Sequence, residues 1–198
     1  MSLPVQSALH TAVATQSFVA IAVANAIVTS TASAITVTTL TPASGFASTT
    51  SGIFGLVRRN VTVTTAAHAA SYKTGAGSAI VVTGTDVNGA VQTESLLLTQ
   101  AGGNETVAGL LDFATVTKIV IPGQNDALGA FTFGVQDIFC QCRDVAVGTS
   151  GTLVVKYQYK DTLDTIPAEA IAHWGSKQSI QPSRIYSTST ATNIVLLF

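Results

Sequence analysis

Ser78-Ala-Ile-Val-Val-Thr-Gly-Thr-Asp86, then Val87-Asn-Gly-Ala90, then Val91-Gln-Thr-Glu-Ser-Leu-Leu-Leu98 run on without a break. Two segments rich in β-branched residues flank Asn88-Gly89, and Asn-Gly supplies the two positive-φ positions of a type I′ turn. That arrangement predicts a β-hairpin. The same chemistry extends on either side. Arg59-Asn-Val-Thr-Val-Thr-Thr65 alternates apolar and polar residues with the period of a strand. Phe113-Ala-Thr-Val-Thr-Lys-Ile-Val-Ile121 is a further strand, stopped by Pro122-Gly123, and Phe131-Thr-Phe-Gly-Val135 is another. Short strands separated by turn residues, such as those of Gln100–Asn104, are the pattern of an antiparallel sandwich or barrel. Val107–Phe113 has room for one helical turn. The expected fold is therefore all-β, an antiparallel β-sandwich or barrel-like domain.

Composition points the same way. Thr and Val are abundant, and their stiff branched side chains suit a pleated surface. A hydrophobic content of 47% excludes a disordered chain. Charge is scarce: 10% of residues are charged, against about a quarter in an ordinary soluble domain. Residues 1–57 hold no Lys, Arg, Asp or Glu, and the first charges are Arg58 and Arg59. With a net charge of −1 and Arg58-Arg59 as the only adjacent basic pair, the chain lacks a patch able to neutralise phosphates. Neither nucleic acid nor an anionic membrane surface is an expected partner.

The chain divides into three parts. Residues 1–57 are an extended, uncharged N-terminal arm with its own strand or strands, including the alternating Ser33–Leu40. Residues 58–139 form the β-sandwich core. Residues 140–198 add C-terminal strands and a short helix starting near Asp164, packed on that core or on a neighbouring subunit. Phe18–Val28 is apolar but shorter than the ~20 residues that span a bilayer, and no Lys or Arg precedes it as a secretory leader would require. The last five residues, Ile194–Phe198, are all apolar, which predicts a strand paired inside the fold or across a subunit boundary. The large apolar and aromatic residues of the two ends are the candidate assembly interface: Phe18, Val19, Ile21, Val23, Ile27, Trp174, Tyr186, Ile194, Leu196 and Phe198.

Chemistry is harder to find. Cys140 and Cys142 would present both thiols on one strand face, but a bridge over one residue closes a strained ring, so they read as reduced structural cysteines. A zinc site needs further ligands, and His10, His68 and His173 are far apart in sequence. No Gly-x-Ser-x-Gly elbow or phosphate-binding glycine loop is present. Asp86-Val-Asn-Gly89 has hard oxygen ligands but lacks the further carboxylates of a calcium loop, and reads as a turn. No catalytic residue, cofactor or metal ligand is expected, and the chain reads as a non-enzyme.

Residues 58–139 do carry a resemblance. Arg59 to Val63, the Thr83 to Gly89 hairpin, Thr93 to Leu96, Phe113 to Ile119 and Phe133 to Val135 occur in an order that resembles a domain of tailed-bacteriophage structural proteins. That resemblance implies a virion component without catalytic residues, a capsid decoration (cement) protein ahead of a neck or tail protein. It also implies the major capsid protein or other virion proteins as partners, and homo-oligomers, with a trimer favoured. A secreted or cell-surface adhesin-like β protein is the rival from another class. A decoration protein would use extended termini to pair with a neighbour's strands, a use that suits residues 1–45 and 190–198.

Overall fold

The computed structural model describes residues 15–18, 23–42, 57–66, 72–102, 104–140, 142, 144–147, 151–157, 162–167, 182–191 and 194–197. The fold is all-β, and every strand pair is antiparallel. In chain order the strands are β1 (Thr15–Phe18), β2 (Val23–Ala32), β3 (Thr38–Leu40), β4 (Val57–Thr65), β5 (Ile80–Thr85), β6 (Val91–Leu96) and β7 (Thr106–Ala108). They continue as β8 (Thr115–Ile121), β9 (Ala130–Cys140), β10 (Asp144–Ala146), β11 (Thr152–Tyr157), β12 (Leu163–Pro167), β13 (Pro182–Ile185) and β14 (Ile194–Leu197).

A seven-stranded sheet, β12-β11-β13-β9-β4-β7 with β2 also on β9, organises the molecule. A four-stranded sheet (β3-β8-β5-β6) shares a core with one half of it, and a three-stranded sheet (β1-β14-β10) shares a second core with the other half. Val61, Val63, Phe131, Phe133 and Val135 meet Ile80, Val82, Leu96, Val116 and Ile119 in the first core. The second joins Ile138, Cys140, Leu153, Val155 and Ile185 to Val145, Ile194 and Leu196.

The central hairpin forms as its sequence predicts, pairing Ile80 with Leu96 through to Thr85 with Val91. Its turn is different. Gly89 N donates to the Asp86 carbonyl and Asp86 N to the Ala90 carbonyl, with Gly89 at φ 79°. This is a three-residue loop closed by a left-handed glycine, rather than a two-residue type I′ turn. The Asp86 side chain selects it, since Oδ1 accepts the N–H groups of Asn88 and Ala90, each at 2.8 Å. Gly84 is required for another reason: a Cβ there would lie 1.9 Å from the Thr115 carbonyl oxygen.

Several expectations change. The strand expected over Ser33–Leu40 survives only as β3, and Ile35 and Val37 are exposed. Ser33 Oγ donates to the Asp126 carbonyl and Gln124 N to the Ala34 carbonyl, and these bonds hold the preceding segment in a bend. The helical turn at Val107–Phe113 is instead β7 followed by a turn, because Thr106–Ala108 can ladder onto β4. The helix expected from Asp164 is strand β12 up to Pro167, pairing with β11, and the rest of that expectation lies outside the described residues. Residues 23–40 belong to the folded domain, since β2 lies on β9 and β3 on β8. The apolar end is the expected strand, β14, and of the two pairings open to it takes the one inside the chain, between β1 and β10.

Candidate functional site

Strand β9 passes from one core to the other, and charge is concentrated where it crosses. Arg59 pairs with Ile138 and Val61 with Val135, so Asn60 alone faces both Gln136 and Asp137. Two residues against one is a β-bulge. The extra residue shifts the alternation by one. Phe131, Phe133 and Val135 are therefore buried before it, and Ile138 and Cys140 after it. The bulge also detaches backbone groups from the ladder, and polar side chains take them up. Arg59 Nε donates to the Asp137 carbonyl at 3.0 Å and Nη2 to the Gln136 carbonyl at 3.1 Å. Asp137 N donates to Asn60 Oδ1 at 2.7 Å, and Asn60 Nδ2 donates to the Gly109 carbonyl at 3.0 Å.

The Asp137 carboxylate, 3% exposed, closes the network. Oδ2 accepts from Arg184 Nε at 2.9 Å and also from Nη2, while Oδ1 accepts from Ser187 N at 2.7 Å. Gln136 Nε2 donates to Ser187 Oγ at 2.8 Å. Burial lowers the pKa of the Arg59 guanidinium to about 10, and the nearby Asp137 charge opposes that shift. Arg59 thus keeps its charge at neutral pH, matched by the carboxylate. A buried carboxylate with both oxygens occupied is neither a ready base nor a ready nucleophile. Its work is to fix the register of β4, β9 and β13 across the seam between the cores.

Other acids hold loops in the same way. Asp86 lies below the usual carboxylate range, chiefly because the Ala90 N–H binds it, with Asn88 adding to the effect. Burial alone would raise Glu105, but the Thr99 hydroxyl and the N–H groups of Gln100 and Thr99 outweigh it and lower its pKa. Glu94 accepts the N–H groups of Leu110 and Leu111, and Arg58 pairs with Asp112. The Asp86 oxygens that suggested a calcium loop serve the turn. Cys140 and Cys142 form no disulfide and are buried, with Sγ atoms 3.6 Å apart in the second core. Among the described residues no group of three His, Cys, Asp or Glu could hold a metal.

The candidate interface residues fall in four sets. Ile27, Ile194 and Leu196 are buried in the chain's own cores. Tyr186 is half-buried, and its ring lies 4.6 Å from the Arg184 guanidinium carbon, which also covers Phe139 at 4.5 Å. Phe18 and Val23 are in β1 and β2. Val19, Ile21, Trp174 and Phe198 lie outside the described residues. The Asp137 junction was not anticipated, although its signal is in the sequence: Arg58-Arg59-Asn60 and Gln136-Asp137 are polar clusters opening or interrupting strand patterns.

No protein-family model, no curated protein and no solved structure matches this chain.

Proposed function

We propose that the chain is a non-enzymatic structural protein of a tailed-phage virion, a capsid decoration protein that bridges capsomers and stabilises the head. The observation that carries this reading is where the charge goes. Asp86, Glu94, Glu105, Asp112, Asp137, Arg58, Arg59 and Arg184 all hold the chain's own loops and strands. The outer face of the four-stranded sheet is left to Thr39, Val81, Thr83, Val91, Thr93, Ser95 and Val120, with Lys118 as its charge. A hydroxyl- and methyl-covered face hydrates well, yet can lie against another protein without desolvating ions. Many such contacts on one shell gain by multivalency. The resemblance of residues 58–139 to phage structural proteins supports the same role.

The test is sedimentation of the purified chain with undecorated heads assembled from the major capsid protein encoded in the same genome. Saturable co-sedimentation that raises the temperature at which heads rupture is the expected result. Heads that neither bind the chain nor gain stability would refute the decoration role, and rings or tubes formed without heads would point to the tail.

A further inference from the structure

Strand β6 leaves one long edge open. Ala114 N donates to the Thr85 carbonyl, so the odd-numbered residues of β5 bond toward β8 and the even-numbered ones toward β6. By the alternation of antiparallel ladders, Gln92, Glu94 and Leu96 bond back to β5, while Val91, Thr93 and Ser95 direct their N–H and C=O groups outward. β6 ends its sheet, and among the described residues nothing pairs with that side. The other described edge strands are guarded. β1 has four residues and β3, β7 and β10 three each, β12 ends in Pro167, and β2 is broken by two register shifts. β6 has six regular residues with no Pro, Lys or bulge, and such an edge invites pairing unless it is covered.

We infer that β6 is a homodimer interface, pairing antiparallel with β6 of a second copy about a two-fold axis at Thr93. This inference is independent of the virion reading. The register is self-complementary: Thr93 faces its own counterpart, and Val91 faces Ser95. About six backbone hydrogen bonds form, and cross-strand Thr–Thr contacts add to them. Charge permits it too. Glu94, the one ionised residue of β6, faces Gln92 of the second copy rather than another Glu94. Its carboxylate is also drawn back onto the Leu110 and Leu111 N–H groups of its own chain. Apolar side chains border the edge, with Leu110 87% and Val91 76% exposed. Among the described residues each copy has one such edge, so the pairing closes as a dimer instead of growing into a fibre.

Sedimentation equilibrium on the full chain and two variants tests this. Thr93 is exposed and its N–H is not needed by β5, so Thr93→Lys and Thr93→Glu keep the fold, checked by an unchanged circular dichroism spectrum and melting. The wild type is expected at twice the chain mass. Each variant alone is expected at half that mass, because like charges then meet on the axis. An equimolar mixture of the two is expected to restore the wild-type mass. A monomeric wild type overturns the inference, as does a wild-type assembly that Thr93→Lys leaves intact. A mixture that stays monomeric overturns the two-fold register. Head binding is not read in this experiment, so either proposal can fail alone.

Discussion

The two cores are built from different materials. The first holds Tyr72, Phe113, Phe131 and Phe133, all fully buried, with Tyr72 edge-on to Phe131 at 5.2 Å and Phe131 stacked near Phe133 at 6.4 Å. The second is packed with aliphatic side chains and two thiols, and its fully buried large side chains are Ile138, Leu153, Ile185, Ile194 and Leu196. The first contains the β5–β6 hairpin, closed by the three-residue loop Val87-Asn88-Gly89. The second relies on partners distant in sequence, such as β1 with β14. Aromatic area and a local hairpin support the first, whereas the second depends more on the strands it shares with its neighbour. The Asp137 network lies where that sharing occurs, which is why a buried charge is retained between two apolar cores.

Removing the junction should separate the halves most sharply. Asp137→Ala leaves Arg59 and Arg184 without their carboxylate, and the loss expected for breaking a buried pair is about 3–5 kcal/mol. Urea unfolding followed by near-UV circular dichroism should turn from one transition into two. Phe133→Ala should cost about 3–5 kcal/mol and Ile185→Ala about 2–5 kcal/mol by the same measurement. The first lowers the stability of both halves, and the second affects mainly the β11–β13 side. Gly89→Ala has no steric neighbour within 4 Å, so its cost is the left-handed backbone alone, about 1–2 kcal/mol. That loss should appear in the melting temperature without any change in cooperativity.

The smallest effect is acid sensitivity. Asp86 and Glu105 have folded pKa values below their unfolded ones. Their contribution is therefore complete above the unfolded values, near pH 4, and is lost as pH falls through the folded ones. Both groups hold loops around the first core. Asp86→Asn combined with Glu105→Gln should flatten the dependence of stability on pH below about pH 4, as read from melting temperatures in acid.

The first core was the more legible half in the sequence. Its strands alternate cleanly, as in Ile80–Thr85, and Asn88-Gly89 announced the hairpin even though Asp86 chose another turn. Strand β9 was legible only to Val135, because Gln136-Asp137 resembles the end of a strand while acting as a bulge within one. Two short strands, β7 and β10, have too few residues to show a period, and β13 begins with a proline. The uncharged segment suggested an arm because charge normally marks an exposed face. A strand lying against β9, as β2 does, has less need of it. Deleting residues 1–30 would therefore remove most of β2 as well as any arm.

Native-state hydrogen exchange on the full chain, wild type and Asp137→Asn, tests most directly whether charge in this protein serves as internal fastening. The amides of Phe133 and Ile138 lie on either side of the bulge in the same strand. In the wild type both should exchange through one global opening. In Asp137→Asn, Ile138 should exchange through a cheaper local opening while Phe133 keeps its protection relative to global unfolding. Separate openings already present in the wild type, or a variant in which both amides keep a common opening, would contradict a fastening role for Asp137.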